Sequence, residues 1–267
     1  MKIYISVDIE GINGINSWDE TFSEKNAYRP FQVQMTNEVK IVCEALKEQG
    51  INDIVIRDAH GSSRNLIAET LPDNVQLIRG WSGGLCDMMF GLDASFDGII
   101  YIGYHDKALS KGNFLGHTMT TQINYVKIND QQIGEYDINT FFAKTLKVPV
   151  IMLSGDKSLC EDKESVNSHL VTVPAFEGFY GATKSVHPNK HAENLRKAVK
   201  EALANLKFGV EYDLAVPAIL KAEISYRDCK SAYTNSFFPG AVLVEPNAVT
   251  YTAHNYTEIL KFFKFCL

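Results

Sequence analysis

Apolar and polar positions alternate strictly at the start of the chain, with Ile3, Ile5 and Val7 set against Tyr4 and Ser6 up to Asp8. A period of two predicts a β-strand that ends near Asp8. A polar, glycine-containing loop (GINGINSWDETFSEKN) follows, and residues 31–49 then change to helical spacing, with Val39, Val42 and Leu46 on one face and Gly50 as terminator. Ile51–Arg57 predicts a second strand that runs into DAHGSS, and beyond a short helical stretch Val75–Ile78 predicts a third. The run 98–103 (GIIYIG) predicts another, leading into YHDKA. Residues 121–134 (with INYVKINDQQIG) predict a β-hairpin, Asp137–Lys147 a helix, and Val148–Leu153 a strand that ends at Ser154-Gly155-Asp156. Pro188 opens an amphipathic helix over 188–206 with Leu195, Val199, Ala202 and Leu206 on its apolar stripe. Strand-like runs at Leu214–Ile224 and Ala248–Ala253 and a helix over Thr257–Phe265 close the chain.

Strand and helix alternating through residue 160 imply an α/β fold: a largely parallel, Rossmann-like sheet with helices on both faces, plus a smaller α+β second unit. No repeat, low-complexity tract or linker marks a boundary. Residues 1–267 are therefore read as one unit, divided at most into an α/β part, 1–184, and a smaller α+β part, 185–267, or carrying an inserted unit around the hairpin.

The polar residues fall where such a sheet binds ligands. Asp8 and Glu10 follow the first strand, His60 the second and His105 the GIIYIG strand. In open α/β sheets the crevice beyond the carboxyl ends of the strands is the binding site. A buried carboxylate is costly unless it is paired, protonated or bound to metal, and Asp8 and Glu10 at i and i+2 on extended backbone share one side. Carboxylates with imidazoles suit zinc or a similar divalent ion. Taken singly, each has a plainer reading: Asp8 as a turn or capping residue, His60 as a loop histidine bonded to backbone. His169, His187, His191 and His254 follow no strand in this way and are read as surface or loop residues.

Composition narrows the partners. A net charge of −6 and a pI near 5.7 offer no basic patch for nucleic acid or an anionic membrane. No stretch approaches the roughly 20 apolar residues of a membrane span, and the opening run meets Asp8 too soon to form the apolar core of a signal peptide. The five cysteines (Cys43, Cys86, Cys160, Cys229, Cys266) are scattered, without a C-x-x-C pair. They read as reduced thiols of a cytoplasmic protein, buried as small apolar groups rather than serving as ligands.

Five motifs recur in order: SVDIEG (6–11), RDAHGS (57–62), GYHDKA (103–108), GHTM (116–119) and IGEYDIN (133–139). With them the chain resembles the D-aminopeptidase family of dinuclear zinc metallopeptidases, densely up to about residue 160 and more loosely beyond. That resemblance implies two divalent metal ions per subunit, zinc by family. Asp8 would bridge them, Glu10 and His105 would complete one site, and His60 and Glu135 the other. Without the resemblance, Glu135 beside Gly134 is a helix N-terminal acid favoured by the helix dipole. His117, in GHTM, corresponds to the family's catalytic histidine; imidazole is the side chain that changes charge near neutral pH. Whether it acts as nucleophile or as general acid–base is left open by the residues.

The implied activity is hydrolysis of short peptides with an N-terminal D-amino acid, of the D-Ala class, inside a ring-shaped homo-oligomer, a decamer by family. The alternatives are a two-metal hydrolase of L-peptides or another small amide, and a non-catalytic peptide-binding metalloprotein. Asp58 and Asp106, beside the histidines, are expected to orient the imidazoles. Asn113, Phe114 and Leu115, together with the segment around Asn139, are expected to wall the substrate pocket.

Overall fold

A computed structural model describes residues 1–208 and 212–267. In chain order the described elements are β1 (Lys2–Val7), α1 (Tyr28–Glu48), β2 (Asp53–Asp58), β3 (Val75–Ile78), β4 (Gly98–Tyr104), the hairpin β5 (Ile123–Ile128) and β6 (Gln131–Ile133), and α2 (Glu135–Thr145). There follow β7 (Val150–Asp156), α3 (Lys157–Val166), β8 (Val171–Phe179), β9 (Ala182–Ser185) and α4 (Pro188–Lys207). The chain closes with β10 (Leu220–Tyr226), α5 (Cys229–Asn235), β11 (Val242–Glu245), β12 (Ala248–Ala253) and α6 (Tyr256–Cys266).

Among the described residues these strands form two sheets, in the orders β3-β2-β1-β4-β7-β8-β9 and β11-β12-β10-β5-β6. The first is parallel from β3 to β8, with only β9 antiparallel, and the second is antiparallel throughout. This is the expected α/β class with a second, smaller sheet. On one face of the first sheet Ile3, Ile5, Ile54 and Ile56 pack with Val39 and Leu46 of α1 and Leu195 and Val199 of α4. On the other, Tyr4, Val55 and Tyr101 pack with Met89, Phe96 and Leu159. Each fully buried large aliphatic side chain stabilises the fold by about 1.5–3 kcal/mol, so a strand buried on both faces loses its strict alternation, as in GIIYIG.

The strand order reverses direction between β1 and β4, the two strands that start from the middle of the sheet. Their carboxyl ends come unusually close there: Asp8 N donates to Ile102 O at 2.8 Å and Gly11 N to Gly103 O at 2.8 Å. Only glycine permits this approach. A Cβ on Gly11 would collide with the Tyr104 carbonyl, and one on Gly103, at φ +69°, with the Asp8 carbonyl.

The layers do not part at 184/185. The hairpin β5–β6 belongs to the second sheet, pairing with β10, while α4 packs on α1 and the first sheet. The second sheet is thus assembled from an excursion after β4 and from the chain beyond α4, and α2 forms the seam. Phe142 of α2 touches the core of both sheets, and the Tyr256 hydroxyl of α6 donates to Ile138 O at 2.7 Å. Strands β8 and β9 and helix α3 had no counterpart in the sequence reading; Pro174 interrupts the apolar run of β8, beside a register shift against β7.

One histidine is placed differently from expectation. His191 is not at the surface but fully buried on α4, with Nε2 at 3.4 Å from Glu38 Oε2 of α1. It lies four residues before Leu195 and eight before Val199, on the stripe that α4 turns to the core, and a period of four was the signal that could have placed it.

Candidate metal centre and catalytic cleft

The site forms at the β1/β4 switch point, and turns, loops, a strand end and a helix start position its side chains. Asp8 and Glu10 occupy the turn that leaves β1, His60 the loop after β2, and His105 the residue directly after β4. His60 is drawn beside Asp8 because Ala59 N donates to Val7 O at 2.8 Å. Glu135 arrives from the second sheet as the first residue of α2, just beyond β6. His117 lies in the long loop between β4 and β5, which is tied to Glu135 by Met119 N donating to Glu135 Oε1 at 2.7 Å. Met119 takes a left-handed φ of +62° to do so, a conformation that costs a non-glycine residue about 1 kcal/mol or more.

All six sequence-predicted residues converge. His60 Nδ1 lies 3.2 Å from Asp8 Oδ1 and 3.0 Å from Glu10 Oε2. His105 Nε2 is 3.5 Å from both Asp8 Oδ2 and Glu135 Oε1, and His117 Nε2 is 3.5 Å from Glu135 Oε1. The His117 ring stacks on His105 at 4.3 Å between centroids and meets Trp18 edge-on at 5.4 Å. Asp8, Glu10, His105 and Glu135 are buried almost completely, whereas the His117 side chain is 15% exposed and faces the cleft.

The residues fit a cationic guest. Each imidazole spends one ring nitrogen on a backbone carbonyl: His60 Nε2 on Thr21 O at 2.9 Å, His105 Nδ1 on Asp106 O at 3.0 Å and His117 Nδ1 on Leu115 O at 2.9 Å. With the proton there, the other nitrogen turns a lone pair toward carboxylate oxygens, which also carry lone pairs. Two acceptors face each other with nothing between them unless a proton or a metal ion intervenes. Glu10 Oε2 and His105 Nε2 are buried and have no hydrogen-bond partner among the described residues. No lysine or arginine lines this cavity of about 320 Å³ among the described residues.

The charges respond accordingly. Burial and the neighbouring Glu10 push the Asp8 carboxyl well above the carboxylate range. Burial would raise Glu10 as well, but the adjacent His60 overrides it and holds Glu10 well below that range. Burial also opposes a charge on His60 and His105, yet the carboxylates around them, Glu10 and Glu135 foremost, raise both well above the ordinary histidine range. In such a cluster metal and protons compete for the same lone pairs.

Geometry groups the donors in two overlapping ways. One donor atom each from Asp8, Glu10 and His105 lies within 4.8 Å of the others, as do those of His105, His117 and Glu135, while His60 is nearest Asp8 and Glu10. Asp8 belongs to both sides, touching His60 through one oxygen and His105 through the other.

Two expectations about supporting residues change. The Asp58 carboxylate does not meet the His60 ring; it accepts from Asn65 N, Asn65 Nδ2 and Leu66 N, and Asn65 Nδ2 also donates to His60 O at 2.8 Å. Asp58 therefore shapes the loop, and the ring is oriented by Thr21. Asp106 orients His105 through its carbonyl, its carboxylate being taken by Lys107 and Ser158. Of the expected pocket wall, Leu115 is buried in the core, Asn113 braces Glu10 O and Asp156, and Asn139 is buried against Tyr104; Phe114 is 55% exposed at the cleft. The walls that sequence reasoning missed are Trp18, Phe22 and Trp81, indoles and a phenyl ring carried by polar loops.

A switch-point cluster of three carboxylates and three imidazoles, open to a cleft, is the arrangement of a metal-dependent hydrolase. Comparison with known proteins narrows the class. The sequence pattern of the D-aminopeptidase family matches residues 1–265. The D-aminopeptidase of Bacillus subtilis strain 168 is 31% identical over 208 residues, 77% of this chain and 74% of that one. The solved structure of the "Zn-dependent D-aminopeptidase DppA from Bacillus subtilis, a self-compartmentalizing protease" matches with a TM-score of 0.92 at 27% identity, covering 100% of this chain and 96% of that chain. The chain belongs to the D-aminopeptidase family and is a metallo-aminopeptidase.

Proposed function

We propose that the chain removes the N-terminal residue from short peptides that begin with a D-amino acid of the D-Ala class, using two zinc ions per subunit. By family resemblance Asp8 would bridge the ions, with Glu10 and His105 on one and His60 and Glu135 on the other; by distance alone His60 is grouped with Glu10, and His105 with Glu135 as well as Asp8. The observation that carries this reading is the set of imidazole lone pairs aimed at buried carboxylates, each fixed by a backbone carbonyl on the far side of its ring. Zinc held there would supply Lewis acidity toward the scissile carbonyl and toward water.

The chain's own residues do the rest. His117, fixed through Nδ1 and open to the cleft at Nε2, takes a proton from the attacking water and returns one to the leaving amide nitrogen, so that an amino acid and a peptide shorter by one residue depart. Trp18, Phe22 and Trp81 enclose the reacting centre and limit its access to bulk water. An assembly into closed rings, a decamer by family resemblance, would keep folded proteins away from this cleft; that the structural relative is a self-compartmentalizing protease supports it. A cytoplasmic location accompanies this reading, and no helix of the described residues is long and apolar enough to cross a membrane.

The deciding experiment is release of p-nitroaniline from D-Ala and L-Ala p-nitroanilides by zinc-loaded protein, with and without chelator. D-Ala turnover faster than L-Ala, lost to chelator and restored by zinc, is expected. Equal rates for the two enantiomers would remove the D-specific label.

A further inference from the structure

On the basis of the aminopeptidase reading, we propose that Arg227 is a specificity-determining residue that binds the free C-terminal carboxylate of the short peptide substrate. The metal cavity opens into a neighbouring groove of about 490 Å³, and the two share Trp18, Phe22, His117 and Thr121. The groove therefore begins at the proton-transfer residue and leads away from Asp8, Glu10 and His60. Apolar side chains stand along it, with Leu109 74% and Phe114 55% exposed. Apart from His117, Arg227 is the only ionisable side chain among the described residues that line it.

A peptide cut by an aminopeptidase is a zwitterion with its amine at the reacting end. Here the acid-rich cluster lies at one end of a continuous cleft and Arg227 lines the other part. That polarity matches the polarity of the substrate. Guanidinium is the side chain suited to a terminal carboxylate, because its planar fork offers two parallel N–H donors to the two oxygens.

The Arg227 side chain is also free for this task, and its backbone is held in place. It directly follows β10, and its backbone N–H donates to Gln122 O at 3.1 Å, five residues beyond His117. The preceding carbonyl, Tyr226 O, accepts from Asn124 Nδ2 at 2.8 Å and Tyr226 N donates to Asn247 O at 2.8 Å, so the strand end is pinned on both sides. Among the described residues no carboxylate pairs with its guanidinium. The adjacent acid, Asp228, is committed to α5, accepting from Ser231 N at 2.8 Å and Ser231 Oγ at 2.9 Å. The other groove that meets the site, past Trp81, Met88 and Met119, also carries a cation, but there Lys264 Nζ already faces Asp87 Oδ2 at 3.6 Å. A substrate carboxylate in that groove would meet Asp87 as well.

The test compares free-acid and C-terminal-amide forms of D-Ala-D-Ala and D-Ala-Gly-Gly with wild-type, Arg227→Ala and Arg227→Lys proteins. Two readouts are used: kcat/KM for the cleavable peptides, and equilibrium binding of reduced-amide isosteres, whose CH2–NH linkage cannot be hydrolysed. Wild type is expected to favour the acid over the amide by about tenfold or more for at least one peptide length. In Arg227→Ala that ratio should fall to about one, and Arg227→Lys, which keeps the charge but not the fork, should retain part of it. A wild type that does not distinguish acid from amide, or an Arg227→Ala protein that still does, would overturn the assignment. If wild type cleaves no peptide, the activity reading fails on its own, and the isostere binding ratios still decide the role of Arg227.

Discussion

The metal centre is built from two regions that solve the same problem differently. Asp8, Glu10, His60 and His105 stand at the ends of β1, β2 and β4, strands paired in register in one parallel sheet. His117 and Glu135 stand on an excursion that leaves β4, builds two strands of a second sheet and returns through α2. The first group is positioned by sheet topology, which brings successive strand ends to one edge regardless of what lies between them. The second depends on how two sheets meet, and so on a few separate contacts: a hydrogen bond from Met119 N, a stack of His117 on His105, an ion pair behind α2. The part of the site set by the strand ends and the part set by sheet-to-sheet packing are therefore separable, and substitutions should separate them.

The largest separation is expected at His117. His117→Ala removes the proton-transfer group while leaving the strand-end cluster in place, so turnover of a D-Ala substrate should fall by roughly 10²–10⁴ with metal content retained. Steady-state kinetics alongside metal analysis checks it, and loss of metal would move His117 into the ligand set.

A smaller but still large effect is expected from the junction itself. Lys163 of α3 is buried and pairs with Asp137 at 2.7 Å, two residues after Glu135, and with Asp162 at 2.9 Å. Removing one partner of a buried ion pair strands the other, so Lys163→Ala should cost about 3 kcal/mol of stability, read from chemical denaturation. Burial opposes the Lys163 charge, but Asp137 and Asp162 outweigh it and raise the ammonium above the ordinary lysine range. A folded-state value raised above the unfolded one gives stabilisation that is complete at neutral pH and is lost only as pH climbs through the alkaline range. The wild-type and variant stabilities should therefore differ fully at pH 7 and converge in strong alkali.

The smallest effect should come from the strand-end side. Asn65 holds the loop of His60, donating to Asp58 and to His60 O and accepting from the Tyr28 hydroxyl at 2.7 Å. Asn65→Ala should weaken the metal that His60 holds by roughly 10–100-fold and leave the other nearly as tight, measured by competition with a chromogenic chelator. Equal weakening of both would mean that the two halves of the centre are not separable on this side.

The same division decides what could be read from sequence. Asp8, His60 and His105 each follow an apolar run of the right length, so the pattern of strands alone placed them at one edge. The α/β class and the hairpin at 121–134 followed from the same periodicities, and β12 has the limits read for it, Ala248–Ala253. Glu135 and His117 follow no buried strand; only their motifs marked them, because their proximity to the cluster is a product of sheet-to-sheet packing that no local period encodes. The orienting groups were beyond reach for another reason. Thr21, Asp106 and Leu115 act through backbone carbonyls, so their side chains carry no trace of the role. The make-up of the second sheet was left open between a break at 184/185 and an inserted unit around the hairpin, because its strands come from both sides of α4 and local patterns do not report which sheet a strand joins.

The central claim is that one carboxylate, Asp8, joins two metal positions, and it is tested most directly by counting metal. Wild-type protein dialysed against zinc and analysed by inductively coupled plasma mass spectrometry should carry about two ions per chain, and Asp8→Ala, with circular dichroism confirming its fold, should carry neither. Two ions retained by the Asp8→Ala protein would contradict the account.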